Sequence, residues 1–142
     1  MANIRLAVVV DAPGEQVFPL VATAHGFTRW WASDVTERDG NVDLGFFKRA
    51  TVYRLKLAKV QSPLRAEWQC VSGQEWDGTR IVFELASESG KTQVRFAHAD
   101  WKDETDYFAL CTTTWGELMY RLKATAEGKS PGPLFSADGM AY

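Results

Sequence analysis

The sequence predicts an α+β domain: a curved antiparallel sheet wrapped on one long C-terminal helix, with two short helices after the first strand. Three observations predict it. Residues 4–10 and much of residues 51–98 alternate with period two, the signature of strands with one buried face. After Trp101 the apolar spacing changes to three and four, the signature of an amphipathic helix. The length of 142 residues fits one domain, which buries roughly two-thirds of its unfolded surface and needs neither disulfide nor metal to fold.

Ile4, Leu6, Val8 and Val10 form the inward side of the first strand. Asp11-Ala12-Pro13 ends it, and Pro13 suits the first position of a helix whose first turn carries Glu15. Val17, Leu20 and Val21 supply a short apolar stripe. A second short helical piece carries His25 to Trp31, with Gly26 marking the break between the two. From Val35 onward the chain reads as strands. Arg38-Asp39-Gly40-Asn41, Asp77-Gly78 and Ser89-Gly90-Lys91 are the turns, and Asp-Gly is a preferred hairpin pair. Strands are expected over 51–60, 65–71, 79–86 and 92–98. Ala66, Trp68 and Cys70 share one face; so do Ile81, Phe83 and Leu85, and Thr92, Val94, Phe96 and His98.

A helix is expected over about 103–127, with Phe108, Cys111, Trp115, Leu118, Leu122 and Ala126 on one stripe and Gly128 as its stop. Residues 1–133 make the domain, and 134–142 a short tail carrying Leu134, Phe135, Met140 and Tyr142. A sheet must bury its apolar face, and this helix is the only element long enough to cover it. A strongly curved sheet leaves space beneath such a helix, and that space is the candidate ligand cavity.

Composition narrows the function. Sixteen basic and 18 acidic residues give a net charge of −2, without the electrostatic footprint of a nucleic-acid binder. No apolar run reaches the length of a membrane span. Met1-Ala2-Asn3-Ile4-Arg5 opens directly into a strand pattern, unlike a secretory leader, so a reducing cytoplasmic setting is the default expectation. Cys70 and Cys111 have no CxxC spacing, and with His25 and His98 they form no metal-ligand pattern. No metal and no cofactor are expected.

Two nucleotide-like strings fail on context. Ser89-Gly90-Lys91-Thr92 and Gly128-Lys129-Ser130 lack the first glycine of a phosphate loop and the strand-loop-helix setting. Gly128-Lys129-Ser130-Pro131-Gly132 matches a nucleophile-elbow string, yet Pro131 has no N–H for the oxyanion hole. Asp100, Asp103, Glu104 and Asp106 read as charges complementing the helix dipole.

Six Trp, eight Phe and four Tyr are the informative surplus, since aromatic rings line ligand pockets as well as cores. Trp68, Phe83, Phe96 and Trp115 are expected to point inward, with Tyr53 joining them. They either fill the core or wall a pocket. His98 falls on the inward face. It is read first as a core histidine bonded to a neighbouring hydroxyl or backbone group, and otherwise as a polar contact for a ligand.

Several strings, in order, resemble the START-like (SRPBCC) superfamily, and within it the branch of activator-of-heat-shock-chaperone-ATPase homologues. Asp11-Ala12-Pro13-Gly14-Glu15-Gln16-Val17-Phe18 followed by Trp30 looks like that family's opening. Phe83-Glu84-Leu85 and Gly90 to His98 look like its last hairpin. Trp115-Gly116-Glu117-Leu118, Leu122-Lys123 and Glu127-Gly128-Lys129 with Pro131 look like its final helix and exit. The resemblance spans about residues 3–133. It implies a helix-grip fold with a cavity between sheet and helix. It also implies lipids, polyketides, hormones or other apolar ligands, with cyclases and dehydratases among the members.

The leading expectation is therefore binding of a small apolar or aromatic molecule. Trp68, Phe83, Phe96, Trp115 and Met119 supply walls, and Tyr53 and His98 supply polar contacts. One alternative is a cyclase or dehydratase with His98 as acid–base and Tyr53 as proton donor. No second acid–base partner is placed beside His98, so no catalytic residue is assigned. The other alternative is a co-chaperone-like interaction module that docks a partner through Trp30, Trp31, Trp76 and the tail. A homodimer could bury Phe135, Met140 and Tyr142, or the tail could fold back into the cavity.

Overall fold

Alternation becomes a seven-stranded antiparallel sheet in the computed structural model, which describes Met1–Tyr142. Its strands are β1 (Ala2–Val10), β2 (Asp34–Arg38), β3 (Asn41–Phe46), β4 (Thr51–Gln61), β5 (Arg65–Cys70), β6 (Arg80–Glu88) and β7 (Lys91–Trp101). The order across the sheet is β1-β7-β6-β5-β4-β3-β2. After β1 the chain crosses to the far edge through two helices, α1 (Gly14–Ala22) and α2 (Ala24–Thr28), and then returns hairpin by hairpin until β7 meets β1. The long helix α3 (Asp106–Ala126) lies on the concave side.

Two of the three expected turns are tight hairpins. Asp39-Gly40 and Ser89-Gly90 take positive φ at both positions, 51° and 81°, then 54° and 80°, as the preferred two-residue hairpin turn requires. Asp77-Gly78 differs. It closes a longer connection between β5 and β6 that contains a 3₁₀ turn over Gln74–Trp76. Gly73, with φ 103°, starts this detour, and a Cβ there would overlap the Tyr53 ring. The detour buries the Trp76 indole, a larger apolar gain than a two-residue turn offers.

The helix boundaries also shift in instructive ways. Pro13 is the N-cap of α1 and Gly14 its first residue. The break between α1 and α2 falls at Thr23, whose Oγ1 accepts the Gly26 N–H at 2.9 Å. Gly26 instead permits close approach: a Cβ there would overlap the Pro19 carbonyl of α1. α3 begins at Asp106 because Thr105 caps it, accepting the Phe108 N–H at 3.2 Å. Asp100 is not part of its first turn; it pairs with Arg80 at 2.7 Å.

The core fills the concave face with 34 buried residues in one cluster, reaching from Ile4 on β1 to Leu134. On the outer face one acid departs from simple alternation. Glu67 is buried, held by Arg65 at 3.0 Å and Arg80 at 3.3 Å.

The far end of α3 is tied to the end of β1. Glu127 Oε2 accepts the Asp11 N–H at 2.8 Å and Lys123 Nζ at 2.6 Å, and Lys123 also donates to the Val9 carbonyl at 2.8 Å. The helix backbone runs close to β1 and α1 but stands away from β3 and β4. Residues 134–142 fold back and form a small hairpin of β8 (Phe135–Ser136) and β9 (Gly139–Met140). Leu134 and Phe135 donate to the carbonyls of Trp30 and Trp31 at 3.2 and 3.0 Å, and Ser33 donates to Phe135 at 2.9 Å.

Candidate functional site

Where α3 stands away from β3 and β4, a cleft of about 280 Å³ opens. Its roof is the first half of α3, with Tyr107, Leu110, Cys111, Thr114, Trp115 and Leu118. Its floor is Phe46, Thr51 and Tyr53 from β3 and β4, with Phe47 at the edge. The 3₁₀ turn contributes Gln74 and Trp76, the segment after α2 contributes Trp31, and the tail hairpin contributes Phe135 and Met140. Twelve of the 15 lining residues are hydrophobic and none carries a formal charge, so the cleft offers no ion pair to an ionised ligand. Phe47 is 55% exposed and Leu110 65% exposed, which places them at an open mouth.

The floor is an aromatic stack. The Tyr53 and Trp76 rings lie 4.0 Å apart and within 12° of parallel. Trp76 and Trp115 follow at 6.0 Å and 19°. Trp31 meets Trp115 at 4.9 Å, and Phe46 meets Phe135 edge-on at 5.0 Å. Such rings are stiff and present flat apolar faces. Polar groups of floor and roof meet beside this stack. The Tyr53 and Tyr107 hydroxyls hydrogen-bond to each other, and Cys111 lines the cleft with them. Burial pushes the Tyr53, Tyr107 and Cys111 side chains above their ordinary pKa values, so all three are uncharged at neutral pH.

The structure divides the seven residues singled out from sequence. Tyr53 and Trp115 line the cleft. Trp68, Phe83, Phe96, Met119 and His98 are buried in the core away from the cleft lining. Trp68 donates its indole N–H to the Val21 carbonyl at 2.9 Å and packs on Phe27. Phe83 and Phe96 sit opposite each other on β6 and β7, with rings 5.4 Å apart. Phe96 also supports Trp115 from behind at 4.4 Å.

His98 has no free ring nitrogen. The Trp115 indole can only donate, so His98 Nδ1 accepts from it at 3.1 Å. The proton therefore resides on Nε2, which donates to Thr79 Oγ1 at 2.7 Å. Thr79 in turn donates to the Trp76 carbonyl at 2.6 Å. Burial lowers the His98 pKa to about 3. The ring is thus neutral, hydrogen-bonded at both nitrogens and buried outside the cleft lining.

The docking aromatics are corrected too. Trp30, Trp31 and Trp76 are all buried. Trp30 lies beneath α1, donating to the Leu20 carbonyl at 2.9 Å, and Trp31 is covered by Phe27, Phe46 and Trp115. Both neighbours are buried because α1 and α2 cover one side of their segment and the tail covers the other. Of the roof, Cys111, Trp115 and Leu118 lie on the stripe recognised in the sequence, and Tyr107, Leu110 and Thr114 were missed. Those three step by three and four beside the recognised stripe, so that signal was present in the sequence. Trp76, between polar neighbours, carried none.

Comparison with known proteins agrees with this architecture. A search of the curated proteins finds no match. The Aha1 dimer from Colwellia psychrerythraea superposes with a TM-score of 0.79 at 27% identity, over 90% of this chain and 98% of that one. CV1439 from Chromobacterium violaceum gives 0.73 at 17% identity, over 89% and 98%. CalU16 from Micromonospora echinospora gives 0.72 at 18% identity, over 92% and 68%. The last two share the fold only. The family model of Activator of Hsp90 ATPase homolog 1-like protein matches residues 11–127, from the end of β1 through the Glu127 that ties α3 to it. The helix-grip architecture and that match together make this chain a member of the Activator of Hsp90 ATPase homolog 1-like family, within the START-like (SRPBCC) superfamily.

Proposed function

We propose that this protein binds one small, uncharged, apolar molecule in the cleft between α3 and the β3–β4 end of the sheet. The observation that carries the reading is the lining itself: hydrophobic at 12 of 15 positions, without a formal charge, and with the phenol pair and the side chains of Thr51, Gln74 and Thr114 as its polar groups. A molecule of aromatic or acyl character gains by leaving water there. A carboxylate or ammonium group loses its hydration and finds no counter-ion. One hydroxyl of the Tyr53–Tyr107 pair donates to the other, and the second proton is left for a ligand oxygen or the Cys111 sulfur. The two unpaired thiols, Cys70 and Cys111, suit a reducing compartment such as the cytoplasm.

The test is a titration with the neutral dye N-phenylnaphthylamine, following dye emission and Trp quenching together. Saturation at one dye per chain, weakened by Leu118→Ala in the lining, supports the reading. Absence of saturable binding overturns it.

A second reading is a homodimer. Its support is the dimeric Colwellia relative, together with the apolar mouth formed by Phe47, Leu110 and Met140. Light scattering on the wild type and Leu110→Glu distinguishes it: a dimer that dissociates on substitution supports pairing across the mouth, and a monomeric wild type removes it.

A further inference from the structure

We propose that the 134–142 hairpin is a size-limiting wall of the cleft and that Arg121, outside the lining, holds it in place. This inference rests on the cleft being a ligand site and concerns what that site admits. The hairpin lies beyond the residues that the family model matches. It nonetheless contributes two lining side chains, Phe135 and Met140. Phe135 stands edge-on against Phe46 at 5.0 Å and Phe47 at 5.9 Å, closing the side of the cleft beneath β3. Its backbone is paired on both sides: Phe135 donates to Trp31, Ser33 donates back to Phe135, and Ala141 donates to Leu134 at 2.8 Å. Leu134 is fully buried. The hairpin is therefore built into the core at one end and faces the ligand space at the other.

Arg121 on α3 joins both ends of this segment. Its Nη1 donates to the Gly132 carbonyl at 2.8 Å and the Pro131 carbonyl at 3.3 Å, where the chain enters the hairpin. Its guanidinium carbon lies 5.6 Å from the centre of the Tyr142 ring, where the chain leaves it. Tyr142 is secured again by donating its hydroxyl to Glu117 on α3 at 2.9 Å. One side chain thus fixes the hairpin to the same helix that roofs the cleft. Without it, the hairpin keeps the Trp30–Ser33 pairing and the Tyr142–Glu117 bond but loses its hold at Pro131 and Gly132. Arg121 is a positioning residue: it sets where the wall stands without facing the ligand.

The experiment compares two neutral dyes of different size, N-phenylnaphthylamine and the larger Nile red, on the full chain. The variants are Phe135→Ala, Arg121→Met and Arg121→Lys. The wild type should prefer the smaller dye. Phe135→Ala and Arg121→Met should each lower that preference about tenfold, since wall contacts in an apolar pocket discriminate on this scale. Arg121→Lys should fall between, because an ammonium cannot reproduce the flat guanidinium on the Tyr142 ring. Equal dye preference in the wild type and in folded Phe135→Ala and Arg121→Met overturns the wall. A change in Phe135→Ala without one in Arg121→Met overturns the clamp. Failure of the wild type to bind either dye overturns the ligand-site reading, and this inference with it.

Discussion

Acidification should destabilise this protein through one ring in its core. His98 is fully buried, accepts at Nδ1 from Trp115 and donates at Nε2 to Thr79. Its folded-state pKa is lowered to about 3, solely by burial, from an ordinary value of 6.5. The unfolded chain therefore binds a proton that the folded chain refuses. The stability of the neutral ring is complete above pH 6.5 and is lost progressively as pH falls toward 3. Each pH unit inside that window costs about 1.4 kcal/mol. At about pH 4.5 the loss should reach roughly 3 kcal/mol, a large part of the stability of a domain this size.

The assay is urea unfolding of wild type and His98→Asn at pH 7 and pH 4.5. Asn keeps an acceptor for the Trp115 indole but cannot titrate. Its stability at pH 7 should be lower, and its further loss on acidification smaller than that of wild type by roughly 3 kcal/mol. Carboxylates such as Asp43, lowered by its bond to Arg54, contribute equally to both proteins and cancel. The imidazole nitrogen shifts in NMR should report a proton on Nε2 alone. An identical acid loss in both proteins, or a proton on Nδ1, would refute the reasoning.

Two further outcomes follow from the packing. Trp115→Ala removes the indole that joins Trp31, Phe96, Trp76 and His98, and it should cost about 3–5 kcal/mol in a urea melt while weakening dye binding. An unchanged melting temperature would contradict its core position. Gly73→Ala places a methyl group against the Tyr53 ring at a φ of 103°, so it should lower stability by more than the usual 1 kcal/mol of a glycine replacement. It should also loosen the Tyr53–Trp76 stack, read as a change in near-ultraviolet circular dichroism.

The elements that sequence reasoning placed well are those whose burial follows a period. Ala66, Trp68 and Cys70 on β5, and Ile81, Phe83 and Leu85 on β6, face inward as their alternation requires. The stripe of α3 from Cys111 to Ala126 is likewise buried. The fold could be read because each such segment declares its buried side locally. The cleft could not, because its walls come from segments that share no period: a 3₁₀ turn, a Trp-Trp pair and a tail hairpin. Trp76 sits among Gln74, Glu75, Asp77 and Gly78, which locally mark an exposed turn, and only the tertiary detour at Gly73 turns it inward. His98 posed the opposite problem. Its inward face was legible, but its lack of a free nitrogen depends on Trp115 and Thr79, which are distant in sequence.

The attachment of α3 has a mechanical consequence. One end is pinned to β1 by Glu127 and Lys123, while the other projects over the cleft with the phenol pair and the Thr105–Glu75 hydrogen bond as its outer supports. That arrangement is a beam fixed firmly at one end and held by fewer polar contacts at the other. At 1.5 Å per residue the beam is about 30 Å long, so a tilt of about 5° at the pinned end lifts Tyr107 by about 2–3 Å. Such a lift would widen the opening and part the Tyr53–Tyr107 and Thr105–Glu75 hydrogen bonds. A small change of angle at the Glu127 end of α3 would therefore be felt most at the Tyr107 end, where the cleft opens.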